Sequence, residues 1–286
     1  MNASLPVFPE GDTIPRLIHQ TYPRKALPPA LQGTVERLCA RNPEWRHQLY
    51  DDNDIREFIG AHYGDRILAA YDRIDPDYGA ARADLFRYLL LYRTGGVYLD
   101  IKSGCAVPLD SVILPGDRYL LSHWHRDGMQ ARRRWGAHSE LAHLPEGELQ
   151  QWYIACASGH PFLRDVLLRV LRNLERYNPL VDGIGRLGVL RMTGPIAYTL
   201  AITPILARYS HRLWENREDT GLIYNTVNAG DPEFYKSQFP AHYTRSNRPI
   251  VLCGPVTTRM TMTAATVKRA AGRLLRSLGL AFQRRA

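Results

Sequence analysis

Arg82-Ala-Asp-Leu-Phe-Arg-Tyr-Leu-Leu-Leu-Tyr-Arg-Thr-Gly-Gly-Val-Tyr-Leu-Asp100 is the stretch on which the reading of this chain turns. Leu85, Leu89 and Tyr92 recur at helical spacing, so a helix with a buried stripe is expected from about Gly79 to Tyr92, with Asp77 placed to cap it. Thr94-Gly95-Gly96 ends that helix, because two consecutive glycines accept the positive backbone angles of a helix stop. A strand over Val97 to Ile101 follows. Alternation sends Val97, Leu99 and Ile101 to one face, read as core, and Tyr98, Asp100 and Lys102 to the other, read as polar.

The chemistry-bearing residues sit at both ends of this helix–turn–strand unit. Asp84 and Arg87 are three apart and therefore neighbours on the helix surface, where they can pair or together grip a hydroxylated ligand. Asp100 and Lys102 fall at the carboxyl end of the strand, where ligands of open α/β sheets collect. A buried Asp–Arg pair and a strand-end aspartate are also ordinary structural features, so spacing alone leaves both readings open.

The same stretch resembles the DXD sugar-binding region of glycosyltransferase family 32, a group of mannosyltransferases and bacterial polysaccharide enzymes. It is similar, in its donor site, to the large glucosylating toxins. Ile14-Pro-Arg-Leu-Ile-His-Gln-Thr-Tyr22 resembles the family's first strand, and Thr193-Gly-Pro195 its later Thr-Gly-Pro element, so the likeness spans most of residues 14–250. The resemblance implies an α/β fold of GT-A type that binds a nucleotide sugar, with a central mixed sheet flanked by helices. It also implies transfer with retained anomeric configuration.

Carried over residue by residue, the resemblance implies that Asp84 and Arg87 hold sugar hydroxyls, that Tyr98 and Asp100 contact the nucleotide part, and that His19, Gln20 and Tyr22 border the base. Gln151, in Gln150-Gln151-Trp152, is placed to hydrogen-bond the donor sugar through its amide, although an ordinary strand start explains it as well. One departure stands out. Where the family places its second acid, which holds a divalent metal against the diphosphate, this chain has Lys102. Departure of a nucleoside diphosphate needs a cation, and the Lys102 ammonium can supply that charge. The alternative is Mn²⁺ or Mg²⁺ recruited by Asp100 with His242. The expected catalytic pair is Asp100 and Lys102.

Outward from this unit, the chain reads as alternating strands and helices. Strands are expected over Ile14 to Tyr22, Trp45 to Tyr50, Arg118 to Trp124 and Gln151 to Ala157, and helices over Pro29 to Ala40, Pro161 to Tyr177 and Pro195 to Tyr209. The arginine-rich stretch Arg132-Arg133-Arg134 reads as a loop able to touch an acceptor. His123 and His125 share a strand face but have no third zinc ligand at a persuasive spacing, and His138 and His143 read as solvated. Four scattered cysteines read as reduced, packed thiols.

With 286 residues, one catalytic domain over 1–255 is the default, followed by a basic amphipathic tail over 256–286. That tail holds seven of the 37 basic residues and none of the 28 acids, which leaves the body close to neutral. Val267, Ala271, Leu274, Leu278 and Phe282 line one helical stripe with Arg269, Arg273 and Arg276 opposite, the pattern of a helix lying on an anionic membrane. The alternative is a helix docked on the domain with its basic face solvated. Basic residues gathered in a tail, without a recognised binding motif, argue against nucleic acid as a partner. The start has neither a basic leader nor a long apolar run, and no later stretch reads as membrane-spanning, so a cytoplasmic protein, peripheral on the inner face of a membrane, is expected.

The function expected is that of a retaining, nucleotide-sugar-dependent glycosyltransferase that acts on a glycan or lipid-linked acceptor in surface polysaccharide or glycolipid synthesis. The rival is a non-catalytic GT-A-fold protein that binds a glycan or a partner.

Overall fold

The computed structural model describes residues 5–124, 136–214, 220–227 and 246–277. The chain opens with a parallel βαβ unit: β1 (Leu17–Thr21), α1 (Pro29–Arg41) and β2 (Arg46–Tyr50). Then come α2 (Asp52–Asp72), α3 (Gly79–Thr94), β3 (Gly96–Leu99), β4 (Gly104–Cys105), α4 (Leu109–Val112) and β5 (Tyr119–Ser122). The second half holds β6 (Tyr153–Cys156), α5 (Pro161–Arg176), α6 (Gly185–Met192), α7 (Pro195–Ile202), β7 (Arg212–Trp214), β8 (Leu222–Ile223) and α8 (Pro255–Ser277).

Six strands form one sheet in the order β2-β1-β3-β6-β5-β7. The pairs β1–β2, β1–β3 and β5–β7 are parallel, and β6 runs antiparallel to both β3 and β5. The sheet is therefore mixed and flanked by helices, as the GT-A expectation requires. β4 and β8 pair separately as a small antiparallel ribbon.

Both faces of the sheet are buried, which corrects the expectation of one polar face for β3. Val97 and Leu99 pack with Ile18, Leu38, Trp45, Leu120 and Tyr153 on one side. Tyr98 points to the other side, where α3, α5 and α7 bring Leu85, Leu89, Leu163, Leu167 and Tyr198 against it in one core. Polar chemistry is confined to the residues after the strand end: Leu99 is the last strand residue, the Asp100 amide makes a ladder bond to Trp152 O (2.9 Å), and Ser103 N closes a turn onto Asp100 O (2.7 Å).

The Gly95-Gly96 turn joins α3 to β3 as expected, with φ of 66° and 102°. A β-carbon at Gly95 would lie 2.7 Å from Ser158 N, and one at Gly96 2.9 Å from Leu17 O, so the turn is closed against its neighbours as well as left-handed. Asp77 does not cap α3; its amide donates to Asp75 Oδ1 (3.0 Å), and Asp75 pairs with Arg248 at 2.9 Å. α7 stops at Ile202 and continues as a 3₁₀ turn, because Pro204 lacks the N–H an α-helix needs and its ring crowds the preceding turn.

The segment between β2 and α3, for which no element was expected, is a 21-residue helix. Asp51 accepts from the amides of Asn53 and Asp54 at 3.0 Å, and the Asp54 carboxylate accepts from the Asp51 amide at 2.9 Å. Ile55, Ile59, Tyr63, Ile67 and Tyr71 recur every fourth residue and are buried; Gly64, at φ 74°, breaks the helix between its halves. Among the described residues one helical run, Gly185–Arg208, is apolar and long enough to cross a membrane, which the sequence reading missed. Ile196, Tyr198 and Ile202 in that run are buried in the protein core.

Candidate active site

α3 is buried from Asp84 to Tyr92, so Asp84 and Arg87 lie inside the protein and must be paired to be tolerated there. Asp84 Oδ1 accepts from Gln151 Nε2 (3.1 Å) and lies 3.3 Å from Arg87 Nη2, while Oδ2 accepts from Thr193 Oγ1 (2.9 Å). Arg87 donates through Nη1 to Gln151 O (2.6 Å), places Nη2 3.1 Å from Asp100 Oδ1, and stacks 4.4 Å from the Tyr98 ring centre. The Tyr88 hydroxyl, 2.8 Å from Thr193 O and 3.2 Å from Gln151 Oε1, fixes the Gln151 amide so that its nitrogen faces Asp84.

Burial pushes the Asp84 carboxyl above its ordinary value, against the opposing pull of Arg87, Gln151 and Thr193. Burial works against the Arg87 charge too, but the Asp100 and Asp84 carboxylates outweigh it and hold the guanidinium protonated. Tyr98, pushed up to about 12 by burial, remains a neutral phenol and shares a 2.8 Å hydrogen bond with Thr21 Oγ1.

Asp100 stands where this buried network meets an open cavity, its side chain 22% exposed. Lys102 Nζ lies 3.8 Å from Asp100 Oδ2, donates to the Tyr224 hydroxyl (3.0 Å) and sits 4.1 Å from the Tyr224 ring centre. The cavity has a volume of about 800 Å³, within the range of small-molecule sites. Tyr22, Asp84, Arg87, Tyr98, Asp100, Lys102 and Gln151 all line it.

His19 and Gln20 lie behind the cavity wall. His19 Nε2 donates to Gly95 O (3.1 Å) and Nδ1 accepts from Tyr50 (3.2 Å), so both ring nitrogens are used inside the fold; burial lowers its pKa to about 4. Gln20 donates to Asp100 O (3.3 Å) and its Oε1 lies 3.0 Å from His47 Nε2, which ties β1 and β2 to the turn that carries Asp100. Both residues brace the site from outside it.

Several contributors escaped the sequence reading. Thr193 entered only as part of a motif, yet it holds Asp84; Tyr88 read as one more helical aromatic, and Tyr224 carried no local signal. Glu148, which lines the cavity, accepts from Trp124 Nε1 and faces His138 Nε2, both at 2.6 Å. His138 is thus engaged with Glu148, whereas His143 is exposed as expected. His123 Nδ1 lies 3.2 Å from Glu148 O; His125 and the arginines at 132–134 lie outside the described residues.

The donor set around Asp100 fits a divalent cation poorly. One carboxylate oxygen faces Arg87 and the other Lys102, so a metal bound there would sit beside an ammonium and compete with a guanidinium. Among the described residues no group of three or more His, Cys, Asp and Glu is placed to hold a metal. His242, the partner expected for Asp100 in a metal site, lies outside them.

Residues 28–119 match the family model described as "Glycosyltransferase sugar-binding region containing DXD motif". The chain is 32% identical over 168 residues to inositol phosphoceramide mannosyltransferase 3 of Schizosaccharomyces pombe, a match covering 59% of this chain and 39% of that protein. It is 27% identical over 176 residues to the initiation-specific alpha-1,6-mannosyltransferase of Candida albicans, covering 57% and 44%. The chain thus spans less than half the length of these relatives. Among solved structures, the UDP-bound glycosyltransferase domain from the YGT toxin aligns with a TM-score of 0.47 at 11% identity, covering 71% of this chain and 80% of that one. The resemblance read from Arg82 to Asp100 falls within the matched region and is borne out.

Proposed function

We propose, from the match of residues 28–119 to the glycosyltransferase sugar-binding region containing the DXD motif, that this protein transfers a sugar from a nucleotide-sugar donor to a glycan or lipid-linked acceptor. The observation that carries the reading is the convergence of Asp84, Arg87, Asp100, Lys102 and Gln151 on one cavity. The named mannosyltransferases among the relatives support a mannosyl donor and a glycolipid acceptor as the first classes to test.

In this reading Asp84 and Gln151 accept and donate hydrogen bonds at the sugar hydroxyls, and Arg87 fixes Asp84 and Asp100 relative to each other. Tyr22 borders the base. The bond from the anomeric carbon to the diphosphate oxygen breaks, a bond to an acceptor hydroxyl oxygen forms on the same face, and the hydroxyl proton passes to the departing phosphate. Lys102 supplies the positive charge that the departing diphosphate needs, in the place where the motif's second acid would bring a cation.

The test is a panel of nucleotide sugars and free nucleoside diphosphates, scored by thermal stabilisation and by release of nucleoside diphosphate in the presence of EDTA. A ligand that binds the native state raises its stability. At least one nucleotide sugar is expected both to stabilise the protein and to be turned over. Stabilisation without turnover, with or without added Mn²⁺, would instead establish the non-catalytic binding protein.

A further inference from the structure

The described side chains of α8 include exposed apolar ones. Among the described side chains of α8 Thr261 is buried, at 3% exposure, whereas Val256, Met260 and Val267 are 71%, 58% and 62% exposed. At about 100° per residue these three share one face of the helix, and Thr261 lies about a third of a turn away from them. The helix is therefore seated by a threonine and presents its apolar stripe outward. Ala264 lies on the same side of the helix, and residues 256–286 hold seven lysines and arginines and no acid.

The root of the helix is fixed close to the cavity. Val251 bridges Ile74, Leu252 N donates to Arg73 O (2.8 Å), and Tyr78 donates to Arg248 O (2.6 Å). Pro76, two residues beyond Ile74, lines the cavity.

We propose that α8 is a membrane-docking helix that lays its Val256–Met260–Val267 stripe into an anionic lipid surface and so holds the cavity against the headgroups. An uncovered apolar stripe on a segment rich in basic residues and without acids fits a surface that is apolar inside and negative outside. A second copy of this chain fits less well, since it would bring two acid-free basic segments together. The inference goes beyond the transfer reaction, and its test reads lipid binding and not turnover.

The full chain is co-sedimented with vesicles of phosphatidylcholine alone and of phosphatidylcholine containing phosphatidylglycerol. The wild-type protein is expected to bind the anionic vesicles and not the neutral ones, with binding that weakens as salt is raised. The triple variant Val256→Ser, Met260→Ser, Val267→Ser changes only exposed positions; its binding should fall by roughly tenfold or more while its melting temperature is unchanged. Truncation after Gly254 should remove binding altogether. Wild-type protein that stays in solution with anionic vesicles, equal binding by the triple variant, or a dimer that the triple variant disrupts without any lipid binding would each overturn the proposal.

Discussion

Arg87 organises the site at the scale of single residues, since its guanidinium joins Asp84, Asp100, Gln151 and Tyr98. Arg87→Ala leaves Asp84 buried without its cation, and breaking such a pair is expected to cost about 3–5 kcal/mol, measurable by urea unfolding. A loss below about 1 kcal/mol would show that the pair contributes little to the fold. Lys102 is proposed to act in catalysis as well as in packing. Lys102→Ala, which removes a buried side chain bonded to Tyr224, should cost about 1–3 kcal/mol of stability and leave a folded protein that transfers in EDTA more slowly by on the order of a hundredfold, the cost of losing one preorganised charge-stabilising group. If EDTA abolishes the native activity, Mn²⁺ restores it and Lys102→Ala is silent, a metal fills the role assigned to Lys102. Asp84, Arg87 and Asp100 were legible in the sequence because spacing and resemblance coincide on them. His19 and Gln20 were legible as neighbours of the site, but not as its bracing, because an inward orientation depends on β2 and on the Gly95 carbonyl.

At the scale of elements, the Gly95-Gly96 turn sets the angle between the helix that carries Asp84 and Arg87 and the strand that ends at Asp100. Gly95→Ala meets both a left-handed backbone and a 2.7 Å approach to Ser158 N, so a loss of about 1–3 kcal/mol or more is expected from the shift in unfolding midpoint. An unshifted midpoint would mean that the turn relaxes freely. This turn was readable because two consecutive glycines have few other uses between a helix and a strand. α2 was also readable in principle, from Asp51 and Asp54 at capping-box spacing and an apolar residue at every fourth position from Ile55, but the interruption at Gly64 splits its pattern. The burial of both sheet faces was not readable. Tyr98 and the sides of α3 are covered by α5 and α7, elements more than sixty residues away in the chain, and local alternation carries no record of them.

For the whole molecule, stability should depend on pH through two histidines held neutral inside it. Burial lowers His19 and His160 from 6.5 to about 4, and His160 keeps both nitrogens bonded, Nε2 to Ser210 O (3.0 Å) and Nδ1 from Phe162 N (3.2 Å). Between those values the unfolded chain binds protons that the folded one does not. The stabilisation is therefore fully present above about pH 6.5 and is lost as pH falls towards 4, by up to about 3 kcal/mol for each histidine. Melting temperature followed across this window should fall with pH, and a flat profile would place these imidazoles in contact with water. In the proposed transfer reaction the decisive residue is Asp100, which closes the buried network and faces the cavity. The most direct measurement is nucleoside diphosphate release from the panel of nucleotide sugars by wild-type protein and by Asp100→Asn at matched thermal stability. Turnover of at least one donor by the wild type and a loss of roughly a hundredfold or more in the variant are expected; equal rates in the two proteins, or turnover of no donor by either, would rule out a transferase built around Asp100.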